Sequence, residues 1–342
     1  MFATANKTFF TLKSKYFFKM DNFSNRVDLD SIKQTADNLK LELSKVIVGQ
    51  NEMIEQFLIA ILSNGHVLVE GVPGVAKTLT AKLIAKTLSV SFSRIQFTPD
   101  LMPSDVLGTN IFNMQSSKFE FNKGPIFGNI ILIDEINRAP AKTQSALFEV
   151  MEERQATIDG NKYKMEPPFI VFATQNPIEQ EGTYRLPEAQ LDRFMFKIEV
   201  GYPTLEEENE ILKRSHEDDG VSQIDQINEL LTAEQIADFQ KKAKEIHIDD
   251  KLRNYIAEIV SKTRNNNALY LGASPRASLA IMATCKAYAA INARDFVTPD
   301  DVKEMVYPVL RHRIILTPEK EMEGVTPDEI IKSIVESVEV PR

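Results

Sequence analysis

The stretch Gly71-Val72-Pro73-Gly74-Val75-Ala76-Lys77-Thr78 decides the fold. An apolar run at 66–70 precedes it, and Ala81, Leu83, Ile84, Ala85 and Leu88 follow it at helical spacing. A glycine-rich turn between a strand and a helix is the setting that a phosphate-binding loop requires. Its glycines let backbone N–H groups converge on an anion, and the helix start adds partial positive charge. Lys77 would reach the β- and γ-phosphates of a nucleotide, and Thr78 would offer its hydroxyl to Mg²⁺. Ala76 stands where such loops usually carry glycine, the one departure from the general pattern.

Four more β-rich apolar runs follow, at 92–97, 130–134, 169–174 and 194–200, and most are separated by segments with helical spacing such as Ala146, Leu147, Val150 and Met151. Alternating strands and helices predict a parallel sheet covered on both faces, and the near-continuous apolar runs suit strands buried on both sides. Two stretches break the alternation. One is a predicted hairpin over 111–121 with the turn Gln115-Ser116-Ser117, and the other centres on Asp159-Gly160, a pair suited to a type I′ turn. Added to a parallel sheet, such hairpins are expected to project and to carry function.

After Gly201-Tyr202-Pro203 the strand signals all but vanish. Thr232 with Gln235 and Thr326 with Glu329 fit capping boxes, while Thr298-Pro299 and Thr326-Pro327 set proline at a first helical position. The segment 277–293 is alanine-rich and amphipathic. A chain of 342 residues exceeds the roughly 250–300 that one core usually serves. The expected organisation is therefore a tail over 1–21, an α/β core over 22–201 and a smaller all-α domain over 202–342. The tail has four lysines and no acid before Asp21, lacks the pattern of a secretory signal, and is expected to be disordered. Met20 sits just before the composition changes, so a mis-set translation start is the other reading of the tail.

Other candidates for chemistry sit at strand ends. The run Ile130-Ile131-Leu132-Ile133 ends in Asp134-Glu135, placing two carboxylates at the sheet edge where open α/β sheets bind ligands. Asp134 would hold the Mg²⁺ shell and Glu135 would polarise an attacking water. Alone, such an ending is also a common charged turn. Asn176, after the run 169–174, could orient a water, or could be a turn residue before Pro177. Arg193 precedes the last strand and suits charge on a transferring phosphoryl group, with a surface ion pair to Asp192 or Glu188 as the plainer reading. In Gly272-Ala273-Ser274-Pro275-Arg276, capping accounts for the serine and proline. It does not account for Arg276, a cation in a first helical turn, which calls for a nearby anion. The four histidines show no ligand spacing.

Composition limits the remaining classes. No run approaches the roughly 18 apolar residues of a membrane span. A net charge of −9 argues against binding nucleic acid by bulk electrostatics. The lone Cys285 can form neither an internal disulfide nor a thiolate zinc cage, which fits a reducing compartment such as the cytoplasm.

In this order the motifs resemble those of the AAA+ ATPases, and within them the MoxR family, from about residue 47 to the C-terminus. The most specific stretches are Gly124-Pro125-Ile126-Phe127, Asp134-Glu135-Ile136-Asn137-Arg138-Ala139, Gln144-Ser145-Ala146-Leu147 and Glu152-Glu153-Arg154-Gln155. The stretches 173–177 and 272–276 fit the same family, which also tolerates alanine at a position like 76. The resemblance implies an AAA+ P-loop core with a C-terminal helical lid. It implies Walker A at 71–78, Walker B at Asp134 and Glu135, sensor 1 at Asn176, the arginine finger at Arg193 and sensor 2 at Arg276. The adenine would lie near Val48-Gly49-Gln50. The implied nucleotide set is thus Gly49, Gln50, Gly71, Val72, Pro73, Gly74, Val75, Ala76, Lys77, Thr78 and Leu79, binding ATP, with Mg²⁺ on Thr78 and Asp134. The hairpins would match the helix-2 insert and the pre-sensor-1 hairpin of this clade.

Members of the family are typically homo-oligomers, often hexameric rings, with chaperone-like roles beside proteins bearing von Willebrand factor A domains. A finger supplied in trans would couple ATP state to subunit contact. Arg138 and Arg185 rival Arg193 for that role, and Arg276 acts in cis or in trans. Two other functions stand beside an ATP-driven protein remodeller: a relative that remodels nucleic acid, and a nucleotide-gated binding module with little turnover. The acidic balance disfavours the first. The joint presence of Glu135, Asn176 and Arg193 disfavours the second.

Overall fold

The computed structural model describes residues 29–72, 74–176, 184–217 and 227–341. The predicted tail 1–21, Pro73 of the phosphate loop and Pro177 lie outside the described residues.

Helices α1 (Asp30–Ser44) and α2 (Asn51–Leu62) come before β1 (Val67–Gly71), and the phosphate-loop stretch joins β1 to α3 (Lys77–Thr87). Then follow β2 (Phe92–Gln96), α4 (Pro103–Leu107), a hairpin of β3 (Gly108–Asn113) and β4 (Lys118–Lys123), β5 (Ile130–Asp134) and α5 (Ala141–Glu153). A second hairpin, β6 (Gln155–Ile158) and β7 (Asn161–Lys164), leads to β8 (Ile170–Gln175), α6 (Glu188–Leu191) and β9 (Phe196–Val200). Past Gly201 come α7 (Leu205–Glu217), α8 (Ala233–Glu245), α9 (Asp250–Arg264), β10 (Leu269–Leu271) and α10 (Pro275–Ile291). The chain finishes with α11 (Pro299–Leu310), β11 (Ile315–Leu316), α12 (Pro318–Met322) and α13 (Pro327–Ser337).

Five strands form one sheet in the order β2-β5-β8-β1-β9, every pairing parallel. The predicted α/β class and the five predicted runs are all realised. Every residue of β5 is buried, because helices cover both faces. Side chains alternate between two cores as the strand period demands. Val67, Val69, Ile130 and Leu132 join one core with α1, α2 and α3, while Leu68, Ile131 and Ile133 join another with α5. The first core does not stop at the sheet. It continues through α2, buried on nearly every side, into Ile236, Ala287 and Val306 of the C-terminal helices.

Both predicted hairpins form, and they grip each other. Asn110 donates to the Asp159 carboxylate, and the Phe121 ring lies 4.2 Å from that of Tyr163. Asp159 and Gly160 both take positive φ (49° and 81°), as a type I′ turn needs. At the base of the first hairpin, a Cβ on Gly108 would meet the Asn122 carbonyl at 2.2 Å, so only glycine fits there. The outer part exposes Ile111, Phe112, Met114 and Phe119.

In the C-terminal helices the capping boxes at Thr232/Gln235 and Thr326/Glu329 are present. A third, Thr298 with Asp301, escaped the reading because its N3 acid is Asp rather than Glu or Gln. The β10–β11 pair also escaped it, since strands of three and two residues leave too short a period to read. Among the described residues, no helix is long and apolar enough to cross a membrane.

Candidate functional site

β1 ends at Gly71, whose missing Cβ would meet the Val200 carbonyl at 2.6 Å, so the loop leaves the sheet tightly against β9. Gly74 has φ +89° with nothing within 4 Å of a Cβ position, which leaves the loop backbone open to an incoming anion. Ala76 sits in the left-handed region (φ 58°, ψ 18°). That conformation costs an alanine about 1–2 kcal/mol, which explains why glycine is usual there and why alanine is tolerable. The next residue starts α3. The Lys77 ammonium turns back onto the Gly71 carbonyl, and burial draws its pKa below the usual value against the pull of Asp134, Glu135 and Glu70.

The two carboxylates at the end of β5 are held in different ways. Asp134, buried, accepts from the Thr78 hydroxyl at 3.5 Å and the Thr174 hydroxyl at 3.2 Å on one oxygen. Its other oxygen takes the Arg94 Nε at 2.7 Å. Glu135 has left-handed backbone (φ 58°, ψ 52°), a conformation that costs a non-glycine residue energy and turns its side chain away from the strand direction. Its amide donates to the Thr174 hydroxyl at 3.1 Å, and its carboxylate accepts from Gln96 at 2.8 Å and lies 3.0 Å from Arg138 Nε. A cavity of about 390 Å³ brings Lys77, Thr78, Asp134, Glu135, Thr174 and Asn176 together, with Val75, Ala76 and Leu79 also on its wall. Gln50 lines a separate hollow of about 220 Å³ with Tyr202 and Glu207. Gly49 lies against the Glu207 carboxylate, so these two predicted residues sit past the end of β9 and do not line the main cavity.

Arg193 and Arg276 are elsewhere. β1 and β9 run parallel with Val67 opposite Phe196 and Gly71 opposite Val200. Arg193 comes before β9, at the edge opposite the phosphate loop, and a five-residue strand is about 16 Å long. There Arg193 Nη1 donates to the Phe148 carbonyl at 2.6 Å and lies 3.9 Å from Glu152, while Arg276 Nη2 donates to the same Glu152 at 2.6 Å. A hollow of about 370 Å³ holds all three. Asp192 and Glu188, the acids expected to pair with Arg193, pair instead with Arg313 and Arg185.

Behind this second hollow His66 is buried, with Nδ1 accepting from the Val171 amide at 3.0 Å and Nε2 donating to the Met151 carbonyl at 3.1 Å. An imidazole that must accept at one nitrogen is neutral. Burial, then the Arg154 charge, pushes its pKa from 6.5 to about 3. Between those values the unfolded chain binds the extra proton, so stability falls as pH drops from 6.5 toward 3. Replacing His66 with glutamine should remove about 1.4 kcal/mol per pH unit from that slope, read by denaturant unfolding across the window. An unchanged slope would mean that the histidine charges in the folded state.

Sequence reasoning missed Arg94, Gln96 and Thr174, which hold Asp134 and Glu135. Arg94 and Gln96 fall at i and i+2 on β2, so two polar residues on one side of an otherwise strand-like run were the available signal.

A parallel sheet of this order, a phosphate-loop turn after β1, acids at the end of β5 and a helical C-terminal part define an ATPase fold of the AAA+ type. The description "ATPase family associated with various cellular activities (AAA)" matches residues 66–196, and that of an AAA lid domain matches residues 261–334. YeaC of Bacillus subtilis, a protein of uncharacterised function, is 45% identical over 87% of this chain and 92% of its own. The chaperone MoxR1 of Mycobacterium tuberculosis is 44% identical over 90% of this chain and 83% of its own. The crystal structure of a candidate ATPase from Cytophaga hutchinsonii superposes with a TM-score of 0.82 at 42% identity, covering 92% of this chain and 99% of that one. The chain belongs to the MoxR family of AAA+ ATPases.

Proposed function

We propose that this chain hydrolyses ATP with Mg²⁺ in an assembly of its own copies and uses the cycle to remodel a protein client. The observation that carries the reading is the meeting of Lys77, Thr78, Asp134, Glu135 and Asn176 around one cavity at the C-terminal edge of the sheet. The hydroxyl of Thr78 and the carboxylate of Asp134 are hard oxygens, the few protein ligands that a Mg²⁺ shared with phosphates needs. When bound, the ion neutralises charge on the phosphate oxygens. Lys77 would leave the Gly71 carbonyl for the phosphates, with the loop residues 71–79 around them and Gly49 and Gln50 toward the base. Glu135, steadied by Gln96, would take the proton of the attacking water, and Asn176 would orient that water.

The far-edge position of Arg193 supports its action in trans, because its own cavity lies a strand's length away. Arg138 is the weaker rival, since it pairs with the Glu135 of its own site. Arg276 shares Glu152 with Arg193, which supports trans action for it too. In this reading 22–201 is the catalytic core, 202–342 the lid, and the assembly a ring, with six subunits as the family expectation. The interlocked hairpins, with Phe112, Phe119 and Met114 exposed, would pass force to the client. A client bearing, or lying beside, a von Willebrand factor A domain follows from the family resemblance. A cytoplasmic setting accords with Cys285 as the one cysteine of the sequence, which leaves no internal disulfide to form. The test is phosphate release with Mg²⁺ against protein concentration, for the wild type beside Arg193→Ala and Glu135→Gln. Turnover independent of concentration would overturn the shared site.

A further inference from the structure

Three consecutive residues, Arg311-His312-Arg313, leave α11 and land on the segment that carries Arg193. Arg311 donates to the Lys197 carbonyl at 3.3 Å and grips Asp328 with its fork at 3.2 and 2.8 Å. His312 Nε2 donates to the Phe194 carbonyl at 3.1 Å, and burial holds its pKa well below the ordinary value, so it docks as a neutral ring. Arg313 makes the densest set. Its Nε donates to the Asp192 carboxylate at 2.7 Å, and Nη2 donates to the carbonyls of Asp192 at 3.2 Å and Phe194 at 2.5 Å. Nη1 donates to the carbonyls of Met195 at 3.2 Å and Val309 at 2.5 Å. Only 3% of the Arg313 side chain is exposed, so it cannot reach a neighbouring subunit itself.

The second oxygen of Asp192 extends the set. It accepts from the Ser274 hydroxyl at 2.8 Å, and the Ser274 oxygen in turn accepts from the Arg276 amide at 3.2 Å. Asp192 therefore joins three things: Arg313 from the C-terminal helices, the Ser274 N-cap of α10, whose second residue is Arg276, and, through the peptide bond, Arg193 itself. Both of those half-exposed arginines then converge on Glu152. Packing alone does not ask for this arrangement, since apolar residues of similar volume often replace a buried ion pair without loss of stability. A guanidinium fork locked to one carboxylate and four carbonyls fixes direction, which packing does not.

We propose that Arg313, acting through Asp192, is a positioning residue that registers the helical lid against the Arg193 segment, so that Arg193 and Arg276 meet a neighbour's nucleotide as one unit. The proposal rests on the reading of Arg193 as an arginine supplied in trans. Arg313→Lys keeps the charge and loses the fork. A displacement of Arg193 by about 1 Å is expected to lower kcat about a hundredfold, with nucleotide affinity at the subunit's own loop unchanged.

Subunit mixing separates positioning from folding. An Arg313→Lys subunit retains its own Lys77, Asp134 and Glu135, while a Glu135→Gln subunit retains an intact Arg193. Mixing the two inactive proteins should restore turnover in part, because the intact loop and base of an Arg313→Lys subunit can be served by the arginines of a Glu135→Gln neighbour. Asp192→Asn, close to isosteric, gives a second variant of the same kind should thermal unfolding show that Arg313→Lys is not folded. Wild-type turnover by both variants would overturn the proposal. So would inactivity that Glu135→Gln subunits fail to relieve while they do relieve Arg193→Ala. If Arg193→Ala is not relieved either, the trans reading falls and this proposal with it.

Discussion

Arg193→Ala is expected to lower ATP turnover by about 10³–10⁵-fold while leaving nucleotide binding intact. The size follows from the role. A guanidinium delivered to charge that develops only in the transition state contributes to kcat and little to ground-state binding. Intact binding follows from position, since Arg193 lies at the strand edge opposite Lys77 and Thr78. Loss of the Phe148 carbonyl contact and of packing would also follow the truncation, so thermal unfolding belongs beside the rate. Arg193→Lys, with a charge and no fork, is expected to recover little. A fully active Arg193→Ala would return Arg138 and Arg185 to consideration.

Glu135→Gln would remove the proposed base without changing shape. Turnover should fall about 10²–10⁴-fold, the usual contribution of a positioned acid or base. The amide oxygen can still accept from Gln96, whereas the attraction to Arg138 weakens, so the nucleotide cavity should keep its form. ATP should therefore bind and persist, and an assembly that depends on ATP should accumulate. A persistent state is also the one from which a client can be recovered by affinity capture. Hydrolysis at the wild-type rate would move the role of base to another group. Failure to bind ATP would mean that Glu135 serves the fold of the site instead.

Much of this molecule is legible in its sequence because buried parallel strands read as nearly unbroken apolar runs. The run Ile130-Ile131-Leu132-Ile133 can be little else, and the turn after 66–70 carries its chemistry in consecutive residues. Asp159-Gly160 announces its hairpin through backbone preference alone. The parts that escape reading are those that depend on distance in space. Nothing local links Arg94 to Asp134 or Glu152 to Arg276, and each pair forms only after the strands and helices align. The partners expected for Arg193 fail for the same reason: Asp192 and Glu188 are its neighbours in sequence, while Arg313, 121 residues away from Asp192, has the better geometry for that carboxylate. The triplet Arg311-His312-Arg313 was the one visible hint, a basic cluster directly after an apolar helix.

The core that runs from beneath the sheet through α2 into the C-terminal helices has a consequence for modularity. The change of texture near residue 201 is a boundary of composition, yet apolar side chains from both sides of it are buried in one cluster. Cut there, the first piece would bare the outer faces of α1 and α2 and the second would lose the surface on which α8 and α10 rest. Neither piece is then a self-sufficient unit, and the whole chain should melt in a single cooperative transition. A lid of this kind could not be grafted onto a foreign core by joining loops, because the graft would have to carry α1 and α2 with it.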